Sequence, residues 1–301
     1  MSRTTGNFDD FGMDTISLAG SLENKLKAMR EAGFSQVMLK ANDIVGHDGG
    51  VDAAVRAVKA SGLRVTGFQV LRDFEGLSGH LHGYKVDIAK AMLEMARALG
   101  APVLLACSST SPHASQDPDV IARDLRKLAM LAVPLGIKVA YEGLSWGRTI
   151  NEFTTAWDVI CRADAPNLGI GIDSFHAFAT KTSLDELEQL DPRKIFLVQL
   201  ADFMWQEIRT VEERISTART FRVFPGEGVH STQVADLVMR LAALGYRGDY
   251  SFEVFNDDYQ QMPLPLVAQR ARVSAEWLGE EVLRRSVPLP NRMRLKSPNP
   301  S

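Results

Sequence analysis

Eight times along the chain a short apolar run is followed by a longer amphipathic one, and no other feature constrains the fold as strongly. The spacing predicts strands at 13–19, 36–41, 64–71, 102–107, 138–143, 168–173, 194–202 and 249–255. It predicts helices between them, the first with Ser21 as N-cap and the last from Leu264 to Arg285. Residues 102–107, PVLLAC, form the continuous apolar run of a strand buried on both faces. A glycine closes helix after helix, in AGF, SGL, LGA, LGI and LGY, just before the next strand begins. That is the loop chemistry of repeated crossovers between parallel strands. Eight such units in about 270 residues predict an α/β chain folded as a closed (β/α)8 TIM barrel. The rival, an open doubly wound sheet, needs a glycine-rich phosphate turn after its first strand. Here that strand runs into LAGSLEN, which has no GxGxxG. The expected organisation is one barrel domain over 1–285 and a Pro-rich basic tail over 286–301.

The chain has 301 residues, 45% hydrophobic and 24% charged, enough to bury a core without a disulfide or structural metal. A formal charge of −3 argues against a large basic nucleic-acid face. Cys107 and Cys161 form neither a disulfide framework nor a CxxC knuckle, so a reducing cytoplasm is expected. No apolar run reaches membrane-spanning length, and the start, MSRTTGNFDDFGMD, has no signal-peptide core.

A barrel carries its chemistry at the C-terminal ends of its strands. The polar residues expected there are Gln69 and Arg72 on the third strand, Glu142 on the fifth, Asp173 and His176 on the sixth, Gln199 and Asp202 on the seventh, and Glu253 on the eighth. Any one of them alone reads as a loop anchor or a salt-bridge partner. Three carboxylates in one mouth repel one another and lose water, so they call for a proton or a cation. Two Glu, an Asp and an amide oxygen are hard donors suited to Mg²⁺ or Mn²⁺, with Co²⁺ tolerated. His176 reads as a base or substrate contact, or else as a hydrogen-bonded structural residue. Arg72 and Arg222 sit in rim loops and can fork a carboxylate, or simply face solvent. Trp146, Phe175, Phe178 and Trp205 read as pocket walls or as core. Cys107 reads as a buried apolar thiol rather than a nucleophile.

The strand ends VAYEG, GIGIDSFH, FLVQLAD and SFEVFND resemble the xylose-isomerase-like TIM barrels. Within them, QVLRDFEG, DSFH, LVQLAD, FRVFPGEG and FEVFNDDYQ resemble the bacterial 3-dehydroshikimate dehydratases, from about Met13 to Leu283. The resemblance implies a metal held by Glu142, Asp173, Gln199 and Glu253. It also implies His176 beside the substrate, and Arg72 and Arg222 on the carboxylate or hydroxyls of a cyclic hydroxy-keto acid. The implied reaction is loss of water through an enolate, with His176, or one of the glutamates Glu142 and Glu253, as the base. Relatives often carry an acidic residue after the second strand, where this chain has Lys40 and Ala41. Some relatives continue into a dioxygenase-like domain, which this chain is expected to lack. The alternatives on the same metal site are a sugar isomerase, a ketose 3-epimerase or an inosose-type dehydratase. From other classes come a DNA-repair endonuclease, disfavoured by six histidines and the net charge, and a non-catalytic binding barrel. Partners are expected to be a small molecule, with neither nucleic acid nor membrane, and analogy leaves a homo-oligomer open.

Overall fold

The computed structural model of the chain describes residues 8–284. The tail expected at 286–301 lies outside the described residues. The strands are β1 (Phe11–Asp14), β2 (Gln36–Lys40), β3 (Arg64–Arg72), β4 (Val103–Cys107), β5 (Lys138–Glu142), β6 (Leu168–Asp173), β7 (Ile195–Leu200), β8 (Asp202–Phe203), β9 (Arg222–Val223) and β10 (Tyr250–Phe252). All but β8 and β9 join, in chain order, into one closed parallel barrel, with β10 returning to β1. β8 and β9 pair antiparallel outside it.

The helices are α1 (Leu22–Glu31), α2 (Ala41–Val45), α3 (Gly50–Ser61), α4 (Gly79–Leu99), α5 (Pro118–Ala132), α6 (Phe153–Ala163), α7 (Ser174–Thr180), α8 (Val211–Thr220), α9 (Ser231–Leu244) and α10 (Leu264–Glu276). Ser21 caps α1 as expected, accepting from the Asn24 amide at 3.4 Å. Gly62 and Gly100 close α3 and α4 at φ of 72° and 74°, which a side chain would oppose. The segment LDELEQL winds as a 3-10 helix, Leu184–Gln189. α10 continues as a π-helical stretch, Trp277–Val282. No helix among the described residues is long and apolar enough to cross a membrane.

The first and last strands differ most from the sequence expectation; the seventh, expected at 194–202, ends at Leu200, with Asp202 in β8 outside the barrel. The first strand, expected at 13–19, ends at Asp14, because the Asp14 carboxylate accepts from the Ile16 amide at 2.9 Å and turns Thr15–Ser17 into a 3-10 helix. The last, expected at 249–255, is a ladder only over Tyr250–Phe252. It still pairs with β1 from Phe11 to Met13, and side chains add to that closure, with the Phe11 ring stacked on Tyr250 at 4.9 Å and on Phe252 at 6.1 Å.

The loop after β3 buries a carboxyl. Glu75 accepts from the Ser109 amide and, at 3.0 Å, from the Tyr141 hydroxyl, while its second oxygen has no partner. Burial pushes its pKa up from 4.5 to about 7. The folded state therefore holds a proton that the unfolded chain releases earlier. Glu75 stabilises the fold fully below pH 4.5, and that contribution is lost as pH rises to 7. The shift corresponds to about 3 kcal/mol. Glu75→Gln is expected to raise the melting temperature at pH 8 and to leave it nearly unchanged at pH 4, as read by thermal denaturation. An equal effect at both values would exclude the buried proton as the cause.

Candidate active site

The strand registers bring the expected donors to one rim. Cys107 sits beside Glu142, Asp173 beside Gln199, and Gln199 beside Ser251, two residues before Glu253. Glu142, Asp173, Gln199 and Glu253 are all buried. Asp14, at the end of β1, joins them; the sequence reading did not assign it. It accepts from the Gln69 side-chain amide, and Gln69 Oε1 in turn accepts from Gln199 Nε2 at 3.4 Å.

Four buried carboxyls thus share one mouth. Burial pushes Glu142 well above the usual carboxylate range, and repulsion from Asp173 and Glu253 adds to it. Burial likewise raises Asp14, with Glu253 adding to the effect. In Asp173 and Glu253 burial is again the largest influence and raises the pKa, while Arg222 pulls the other way.

Arg222 was expected to touch substrate, and the structure also places it among the carboxylates. It is buried, and its Nη1 donates to Asp173 Oδ2 at 2.7 Å and to Glu253 Oε2 at 2.9 Å. Its Nε donates to the Ala218 carbonyl at 2.9 Å, and its guanidinium lies 4.5 Å from the Phe175 ring centre. Burial opposes its charge, but Asp173 and Glu253 more than offset that, so the cation is retained. One guanidinium facing four carboxyls leaves the mouth with an excess of negative charge whenever they ionise.

His176 stands in the first turn of α7, whose start is capped by Asp173 accepting from the Phe175 amide at 2.8 Å. Its Nδ1 accepts from the Ser145 amide at 3.2 Å and lies 3.1 Å from the Ser145 hydroxyl. Burial, with Arg222 adding to it, pushes its pKa well below the usual value, so the ring is neutral. A neutral imidazole that accepts at Nδ1 carries its proton on Nε2. That Nε2 lies 3.6 Å from Asp173 Oδ2. Trp146 packs edge-on against the ring at 5.0 Å.

The remaining residues separate. Glu142, Asp173 and His176 each offer a ligand atom within 4.8 Å of the others. Glu142 Oε1 is buried without a partner, while Oε2 accepts from the Cys107 thiol at 3.0 Å. Burial, then Glu142, pushes that thiol up, which keeps it protonated. Asp202 anchors a loop, accepting from the His230 amide at 3.0 Å and the Ser231 hydroxyl at 2.8 Å. Phe178 stacks on His230, and Trp205 donates to Thr217 at 2.8 Å, so both belong to packing around that loop.

Arg72 lies on the other side of Glu253, in a cavity of about 460 Å³ lined by Lys40, Gln69, Arg72, Lys85, Glu253 and Phe255. Lys85 Nζ donates to the Arg72 carbonyl at 2.7 Å. Among the described residues Lys40 and Arg72 have no carboxylate at ion-pair distance. The sequence reading missed Lys85, because a lysine in the first turns of a helix gives no sign of pointing inward.

The chain matches the model of the family described as xylose isomerase-like TIM barrel over residues 26–280. It is 37% identical over 249 residues to a curated 3-dehydroshikimate dehydratase of Pseudomonas aeruginosa, which covers 83% of this chain and 38% of that protein. A solved xylose isomerase-like TIM barrel/4-hydroxyphenylpyruvate dioxygenase fusion protein superposes with a TM-score of 0.84 at 31% identity, over 96% of this chain and 45% of that one. The IOLI protein, solved with a binding zinc atom, shares the fold at a TM-score of 0.78 and 20% identity, over 90% of this chain and 98% of that one. This chain thus spans less than half the length of the first two. The closed parallel barrel, the acidic rim on its later strands and the match over 26–280 agree, and the chain belongs to the xylose isomerase-like TIM barrel family.

Proposed function

We propose that this chain is a divalent-metal-dependent dehydratase that converts 3-dehydroshikimate to protocatechuate and water. One juxtaposition supports the reading. A rim of buried oxygen donors meets, at Glu253, a cavity whose cations Lys40 and Arg72 have no carboxylate at ion-pair distance among the described residues. A substrate with a carboxylate at one end and a ketone at the other fits such a mouth. The Pseudomonas relative carries this activity in its name.

Glu142, Asp173, Gln199 and Glu253 would hold Mg²⁺, Mn²⁺ or Co²⁺. The all-oxygen donor set, the excess negative charge and the unpartnered Glu142 Oε1 fit a hard cation. When bound, such a cation supplies Lewis acidity towards a ketone oxygen. Arg72, with Lys40 and Lys85, binds the substrate carboxylate. Arg222 spends Nη1 and Nε on the protein, and its Nη2 is the part left for a substrate oxygen. Glu142 takes the proton alpha to the ketone; it stands on the rim and one of its oxygens has no protein partner. The resulting enolate expels the beta hydroxyl, which leaves as water by taking the proton that Glu142 had accepted. His176, neutral with its proton on Nε2, suits a hydrogen bond to the leaving oxygen better than the base role. Loss of one more ring proton, balanced by protonation of the ketone oxygen, gives the aromatic product.

The reading includes one barrel domain over 1–285 and a cytoplasmic location, in line with two unpaired cysteines. Polyol dehydratases and sugar isomerases fit less well, since a neutral substrate leaves Lys40 and Arg72 without a partner.

The test is to strip the protein, reload it with Mg²⁺, Mn²⁺ or Co²⁺, add 3-dehydroshikimate and follow the ultraviolet absorbance of the catechol product. Metal-dependent turnover is expected. Lys40→Met is expected to raise KM about 10-fold, the worth of one charged hydrogen bond, with kcat nearly unchanged. A folded protein that turns over inosose but not 3-dehydroshikimate would replace this reading with the polyol one.

A further inference from the structure

An amide side chain is a metal ligand only through its oxygen, and Gln199 can present either end to the mouth. The side chains behind it decide which. Gln69 Nε2 donates to Asp14, and Asp14 is itself fixed by the Ile16 amide at 2.9 Å on its other oxygen. Gln69 also favours the ionised form of Glu253. The reverse orientation of Gln69 would point its carbonyl dipole at two carboxyls. Its Oε1 is therefore left facing Gln199, at 3.4 Å from Nε2. With its nitrogen so engaged, Gln199 keeps its oxygen for the mouth. All four residues are buried, so no bulk water competes for these bonds.

We infer that Gln69, backed by Asp14, is a positioning residue that locks the amide of Gln199 with its oxygen towards the metal. The inference rests on the proposed metal site and adds to it a relay in which Asp14 acts through Gln69 and Gln69 through Gln199. Its energetic logic is that of groups behind metal ligands, whose loss commonly weakens binding by about 10–100-fold. The relay differs from ordinary support in one respect: its hold on residue 199 matters only while that residue has two unlike ends, whereas the effect of Gln69 on Glu253 persists in either case. A glutamate there presents oxygen whichever way it turns.

The experiment is a calorimetric titration of Mn²⁺ into the full-length protein and its variants, with thermal denaturation as the control for folding. Gln69→Leu changes no charge and is expected to weaken Mn²⁺ binding at least about 10-fold when residue 199 is Gln. In the Gln199→Glu background the same substitution is expected to cost clearly less, since only the effect of Gln69 on Glu253 is then lost. Asp14→Asn provides a second route: its amide nitrogen would oppose that of Gln69, and comparing the two backgrounds cancels the lost charge. It too is expected to weaken binding in the Gln199 protein and not in the Gln199→Glu protein. Equal losses in both backgrounds would overturn the relay while leaving the metal site standing. A wild-type protein that binds no Mn²⁺ would overturn the metal site, and the relay with it.

Discussion

Glu142→Gln is expected to lower kcat by about 10²–10⁴-fold, the usual loss when a general base is removed. The same change is expected to leave the metal-stripped fold as stable as before, or more so. Glu142 is buried at the end of β5, repelled by Asp173 and Glu253, and one of its oxygens has no partner. Replacing it by a neutral side chain of the same shape removes that repulsion and keeps an acceptor for the Cys107 thiol. His176→Ala is the control. If the histidine only hydrogen-bonds the leaving oxygen, its loss costs less than that of Glu142, because water can supply such a bond. The measurement is kcat on metal-loaded protein beside the melting temperature of stripped protein. A Glu142→Gln variant that keeps full turnover while His176→Ala is dead would return the base to His176.

Arg222→Leu is expected to have the largest effect on stability. The side chain is buried and serves two buried carboxylates through one nitrogen. Removing one partner of a buried pair costs about 3–5 kcal/mol, because the charges left behind have neither water nor a counter-ion. For a chain of this size that is a fall in melting temperature on the order of 10 °C. Without the guanidinium, the main influence opposing burial at Asp173 and Glu253 is gone, and both rise further. They then take up protons on folding, so the loss is expected to deepen as pH rises. Saturating Mn²⁺ should recover part of it, since a ligand that binds only the folded state stabilises it. Scanning calorimetry with and without Mn²⁺ reads both effects. A variant that melts like the wild type in stripped form would show that the carboxylates are already protonated and need no cation.

The barrel was legible because its signal is repeated. Each apolar run and each closing glycine is weak evidence, but eight in succession leave few folds open. Glu142, Asp173, Gln199 and Glu253 were legible for the same reason, as polar residues that end strands otherwise apolar. Asp14 was not, because MDTISLA reads as one continuous strand and hides a carboxylate that stops it after its second residue. The signal was present in the Asp-Thr-Ile-Ser order, which suits a side chain bonding the amide two residues on. Arg222 was noticed, but its bonds to Asp173 and Glu253 were beyond reach. Its partners lie 49 and 31 residues away in sequence, and no local pattern encodes which side of the mouth a long loop crosses. The relay from Asp14 through Gln69 to Gln199 spans 55 and then 130 residues, and depends on barrel register alone.

The excursion from β8 to β9 carries Arg222 and is held at its base by Asp202, which accepts from His230 and Ser231 where the chain returns to α9. The oxygen donors belong to the barrel, whereas the positive charge that tempers them arrives on a clasped loop. Framework and counter-charge are thus separately heritable parts. A lineage could exchange the residues between Phe203 and Gly228 as a cassette and so retune what the mouth accepts, with every barrel strand and its register left intact.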